Sequence, residues 1–164
     1  MDLREPFKSN FIGFLAAVQS AGASTIISAT FRPKERAYLM HFAWQIGYKI
    51  LMPQGIPRFD GVAIEWDHGD DEKSVAAALE MCKGYKLRVM PAIESQHSLG
   101  FAVDLNISWA GDLSIAKLDK SIEKISSVPR TGTNPDLAVV AASYGVIKFN
   151  AGGVDPPHWS ANGR

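Results

Sequence analysis

Phe11, Phe14, Leu15 and Val18 recur at the spacing of one helix face, so the first twenty residues are read as an amphipathic helix that ends at Gly22. The β-branched stretch from Thr25 to Phe31 predicts a strand, stopped by Arg32-Pro33. Pro33 suits a helix start, and Tyr38, Leu39, Phe42, Ile46 and Ile50 form a helical stripe that ends between Gly47 and Met52. Residues 53–70 hold Pro53, Gly55, Pro57, Gly61 and Gly69 and read as loop, with a short strand expected at Val62–Trp66. Asp70 or Asp71 caps a further helix through Val75, Leu79 and Met81 to Gly84. Phe101–Ser108 alternates as a strand, Asp112–Ser126 reads as a polar-faced helix, and Pro135 opens a helix over Asp136–Ser143. A last strand is expected at Tyr144–Asn150, ahead of Ala151-Gly152-Gly153. Helices lead and strands dominate the second half, with no repeat or linker, so the pattern predicts one α+β domain over residues 1–164.

Composition narrows the setting. The chain has 164 residues, 46% of them hydrophobic and 21% charged, as expected of a globular domain that needs no disulfide to fold. Seventeen acidic and seventeen basic side chains cancel, so no basic field points to nucleic acid and no acidic tail to a basic partner. No apolar run approaches the roughly 20 residues of a membrane span. Asp2, Arg4, Glu5 and Lys8 mix signs where a secretory signal would need a basic start and a continuous apolar block, so manufacture in the cytoplasm without a signal peptide is expected. Cys82, the lone cysteine, lies on a helical pattern beside Met81 and is read as a small buried hydrophobe.

Two short segments carry the chemistry. Ser95-Gln96-His97-Ser98-Leu99-Gly100-Phe101-Ala102-Val103-Asp104 offers a histidine and an aspartate, and Asp155-Pro156-Pro157-His158-Trp159 offers another of each. His97, Asp104 and His158 would make the two-nitrogen, one-oxygen ligand set of an open catalytic zinc site, leaving Asp155 as a base. His97 and Asp104 are seven apart, which puts them on opposite faces of a straight strand and about 10 Å apart along a helix. The chain must therefore bend between them, and Gly100 accepts the required backbone angles. Two prolines exclude a regular helix between Asp155 and His158 and favour a stiff extended or kinked segment, in which residues three apart point in similar directions. Gly152-Gly153 would let the backbone approach the cleft, and Trp159 would wall the site against water.

These segments fit the patterns SxHxxGxAxD and acidic-x-x-His-aromatic. In them the chain resembles the zinc D-alanyl-D-alanine peptidases, a family related to vancomycin-resistance dipeptidases and phage L-alanyl-D-glutamate endopeptidases. The resemblance spans about Ile26 to Trp159. It implies a small antiparallel sheet with helices packed on it, the hedgehog/DD-peptidase fold. It also implies one zinc ion on His97, Asp104 and His158, with Asp155 as catalytic base and peptidoglycan stem peptides as substrate. Arg32, in Ser28-Ala29-Thr30-Phe31-Arg32-Pro33, resembles the upstream arginine that polarises the substrate carbonyl. The activity implied is endopeptidase or carboxypeptidase. Hedgehog relatives supply the contrasting reading, a non-catalytic zinc-containing binding module of the same fold. A substrate in the periplasm or cell wall would be reached as a phage lysin after lysis or as an effector passed through specialised secretion, the latter with an immunity protein as partner.

The remaining candidates read more plainly. His41, on an apolar helical stretch, is read as structural. The loop Glu65-Trp66-Asp67-His68-Gly69-Asp70 is read as solvated polar chain in preference to a second cation site. If it borders the cleft, Trp66 and Asp67 would touch substrate.

Overall fold

The computed structural model describes residues 2–149 and 155–164. In chain order the elements are α1 (Phe7–Ser20), β1 (Ser24–Ala29), α2 (Lys34–Gly47), α3 (Asp71–Gly84), α4 (Gln96–Leu99), β2 (Ala102–Ser108), β3 (Leu113–Ala116), β4 (Ile122–Ile125), α5 (Pro135–Ser143), β5 (Ile147–Lys148) and β6 (His158–Ser160), with a 3-10 turn at Pro53–Gly55. This is an α+β chain whose main sheet has the order β1-β2-β6-β5, antiparallel at every pairing, and whose second sheet is the β3–β4 hairpin. Among the described residues, no helix is long and apolar enough to cross a membrane. Backbone contacts group the chain into two compact units, residues 1–31 with 99–164, and residues 32–98.

The first unit is built on α1 and the inner face of the sheet. Phe7, Phe11, Phe14 and Val18 recur at intervals of four, three and four, which is one helical stripe, and all four are buried. They pack in one cluster with Val103, Leu105 and Ile107 of β2, with Trp159 of β6, and with Leu137, Val140 and Ala141 of α5. Each such large apolar side chain contributes roughly 1.5–3 kcal/mol by leaving water. The alternation of β2 sends Asp104, Asn106 and Ser108 to the opposite face from Val103, Leu105 and Ile107. α5 starts from Asn134, which is fully buried; its Oδ1 accepts from the backbone N–H groups of Asp136 (2.9 Å) and Leu137 (3.1 Å). Its Nδ2 donates to the carbonyls of Ser127 (3.2 Å) and Pro129 (2.9 Å), so one amide caps the helix and pins the preceding loop.

The second unit is a helix pair, α2 against α3. Tyr38, Phe42, Ala43 and Ile46 meet Ala78 and Cys82, with Trp66 from the connecting chain closing the cluster. Trp66 Nε1 donates to the Tyr38 hydroxyl (3.2 Å), which donates on to the Pro57 carbonyl (2.8 Å). Asp70 caps α3 by accepting the Lys73 N–H at 2.9 Å.

Three expectations are corrected. Asp112–Ser126 is not a helix but the β3–β4 hairpin, in which Leu113 and Ile115 point inward and Ser114 outward. Its turn carries Lys120 at φ 73°, and Asp119 Oδ1 accepts from the Ser121 N–H at 2.9 Å. Val62–Trp66 forms no strand; the segment is held by burying Trp66 instead of by pairing. The last strand is cut to Ile147–Lys148, and the expected approach of Gly152-Gly153 falls outside the described residues.

Candidate metal centre

Asp104 and His158 face each other as register partners across β2 and β6, which places both side chains on one face of the sheet. His158 Nδ1 lies 3.4 Å from Asp104 Oδ1 and 3.8 Å from Asp155 Oδ2. The other ring nitrogen, Nε2, is 3.0 Å from the Arg164 backbone oxygen. A backbone oxygen only accepts, so that contact calls for a proton on Nε2 and leaves Nδ1 facing the two carboxylates. An edge-to-face contact with Phe149 at 5.4 Å holds the ring from the side.

His97 comes from α4, and the local sequence explains its placement. The Ser98 hydroxyl donates to the Ser95 carbonyl (2.8 Å) and accepts the Ser95 N–H (3.0 Å), tightening the turn that carries His97. Gly100 follows at φ 79°, a left-handed conformation in which an added Cβ would sit 3.0 Å from Arg4 Cγ. That bend takes the chain from α4 into β2, as the seven-residue spacing requires. Ala102, fully buried, leaves room for close packing at the start of the strand.

One ligand atom from each of His97, Asp104 and His158 lies within 4.8 Å of the others. His97 and His158 are buried and the Asp104 side chain is 15% exposed, so these groups are largely withdrawn from water. Lone pairs on Nδ1 and on a carboxylate oxygen repel at this range unless a proton or a cation stands among them. Two imidazole nitrogens and one carboxylate are the donor set of a catalytic zinc site with an open position, and the Arg164 backbone oxygen is the kind of outer partner that orients a ligating histidine. The residues present fit a zinc ion.

Asp155 remains more open, with 42% of its side chain exposed, at the start of a turn in which the His158 N–H donates to the Asp155 carbonyl (3.2 Å). The diproline segment is thus kinked, and its two ends bring the carboxylate and the imidazole to one side. Arg32 lies in no strand; its backbone N–H donates to the His97 carbonyl at 3.1 Å.

Trp159 does not wall the site. It is fully buried on the core side of β6, 5.5 Å from Phe14, with Nε1 donating to the Leu105 carbonyl at 3.2 Å. Trp66 is likewise committed to the core of the second unit, which removes it as a substrate contact. Asp67 accepts from the side chain of Gln54 (3.0 Å) and the N–H of Gly69 (2.9 Å), and His68 is exposed. His41 bonds the Pro91 carbonyl and Gln45, both at 2.8 Å, as a structural histidine does.

Lys148 was not among the candidates, and it borders the site. Its Nζ donates to the carbonyls of Pro156 and His158 and stands 4.6 Å above the Trp159 ring. Burial pulls its pKa down to about 8, against the opposing pull of the Asp155 and Asp104 carboxylates. The signal for it was a single cation inside the apolar run Val146-Ile147-Lys148-Phe149.

No protein-family model matches the chain, and no curated protein matches it. Among solved structures it is similar to a mutant of the vancomycin resistance D,D-pentapeptidase VanY from a VanB-type resistance cassette, in complex with Zn(II). The identity is 16% and the TM-score 0.47, over 96% of this chain and 71% of that one.

Proposed function

We propose that this chain is a zinc-dependent peptidase acting on peptidoglycan stem peptides, with His97, Asp104 and His158 as ligands, Asp155 as general base and Arg32 as a substrate contact. The observation that carries the reading is the convergence of one ligand atom from each of the three residues within 4.8 Å. The two segments that supply them also fit the peptidase patterns. When bound, zinc supplies the Lewis acidity that lowers the pKa of water from about 16 to about 7.

The protein's own groups divide the remaining work. Asp104 and the two histidines hold their donor atoms in place, with the Arg164 backbone oxygen fixing the His158 ring. Asp155 Oδ2, beside the His158 ring and partly open to solvent, takes the proton from the attacking water and returns it to the leaving amine nitrogen. Arg32, tied by its backbone to His97, steadies charge that develops on the scissile carbonyl oxygen.

Asp155→Asn removes the base and leaves the three donors. The variant is expected to keep one zinc per chain by elemental analysis and to release no muropeptides from purified peptidoglycan, as read by mass spectrometry. His97→Ala is expected to lose the metal. Full zinc in His97→Ala refutes the ligand set, and undiminished turnover in Asp155→Asn refutes the base. A wild-type chain that binds zinc and cleaves nothing would establish the non-catalytic module instead.

A further inference from the structure

A groove of about 410 Å³ opens on the face of the main sheet that carries Asp104. Its floor is the outward row of the β1–β2 pair, where Ser24 stands opposite Ser108 and Ile26 opposite Asn106. One wall is Thr131-Gly132-Thr133, locked to the sheet by the Gly132 N–H donating to the Ile107 carbonyl (3.0 Å) and by a bridge between Thr131 and Ser108. Pro156, next to Asp155, also lines it.

We propose that this groove seats the substrate peptide, that it takes an extended, uncharged segment of small residues, and that Asn106 reads the segment's backbone. The inference rests on the peptidase reading and names the substrate side of the same site. Continuity carries it, because Asp104, Asn106 and Ser108 form one row along β2 at intervals of two residues. That row covers about 13 Å from the ligand to Ser108, the length of about four residues of extended peptide.

Chemistry fixes the class of occupant. Among the described residues that line the groove none is charged. A carboxylate or ammonium seated there would give up water without a partner, at a cost an alanine methyl does not incur. The Asn106 amide offers both a donor and an acceptor, which matches the paired C=O and N–H of a peptide backbone. It makes no side-chain hydrogen bond among the described residues and is exposed. Ile26, 67% exposed, gives a methyl-bearing side chain an apolar surface beside it. The Thr131 and Thr133 hydroxyls bond each other at 2.8 Å and form a neutral polar rim.

The test reads binding directly, so it does not depend on turnover. The full chain, labelled with nitrogen-15, is titrated with N-acetyl-trialanine amide and, separately, with N-acetyl-triglutamate amide. Saturating amide shifts are expected at Asn106, Ser108, Thr131, Gly132 and Thr133 with the neutral peptide alone. Filling the groove in Ser108→Trp should weaken binding by about tenfold. Removing the amide in Asn106→Leu should weaken it by about fivefold. Absence of saturable shifts, equal response to the acidic peptide, or affinity untouched by Ser108→Trp overturns the proposal. Digestion of peptidoglycan by the same preparation keeps the two readings separate: cleavage without groove shifts removes only the groove, and groove shifts without cleavage remove only the peptidase.

Discussion

Arg32 and Cys82 show how differently two single residues are used. Arg32 sits one backbone hydrogen bond from His97, so its side chain starts beside the candidate ligand set. If it steadies the carbonyl oxygen, Arg32→Ala should lower kcat by about a hundredfold, the scale of losing one oxyanion donor, while zinc content holds. Steady-state kinetics with elemental analysis decides it; an unchanged kcat removes the role. Cys82 is 5% exposed in the core of the second unit, and burial pushes its thiol above the ordinary value. The neutral thiol is thus favoured by the fold. Its contribution is complete below the ordinary thiol pKa of about 8.5 and is lost as pH rises from there through the raised value. Alkylation of the native chain by iodoacetamide should therefore need higher pH than a free thiol requires; a rate matching a model thiol at pH 8 would contradict the burial.

At the level of elements, two helix caps with the same chemistry should differ in cost. Asp70 caps α3 from an exposed position, and Asp70→Ala should cost about 1 kcal/mol. Asn134 is buried and serves α5 and the loop before it with four hydrogen bonds to backbone groups. Asn134→Ala strands those partners away from water and should cost about 3 kcal/mol. Urea denaturation of both variants makes the comparison, and equal losses would show that the Asn134 bonds add nothing beyond a cap. The first helix was legible because Phe11, Phe14, Leu15 and Val18 announce a 3.6-residue period. The β3–β4 hairpin was not, because Lys117, Asp119, Lys120, Glu123 and Lys124 imitate the polar face of a helix while only Leu113 and Ile115 alternate. Within the site, His97, Asp104, Asp155 and His158 were legible as motif letters. The Arg164 oxygen was not, since a backbone atom has no letter, and Lys148 required the fold to bring residues 148 and 156–159 together.

For the whole molecule, a ligand that binds only the folded chain shifts the unfolding equilibrium. Free zinc at a thousandfold excess over its Kd should add about 4 kcal/mol of stability, and chelation should remove it. Calorimetry of the wild type with zinc, with chelator and after zinc is restored should show a reversible change in Tm. His97→Ala should show none. A wild-type Tm that ignores zinc would count against a resident metal. β2 gives this linkage a physical route, because it is both a wall of the core and the carrier of Asp104. A single residue inserted between Val103 and Asp104 would reverse the parity of everything after it, turning the carboxylate inward and Leu105 and Ile107 out to solvent. The strand behaves as a combination lock: its chemical and its packing settings cannot be dialled separately, so chain-length changes in this stretch should be absent from any folded variant recovered by random insertion.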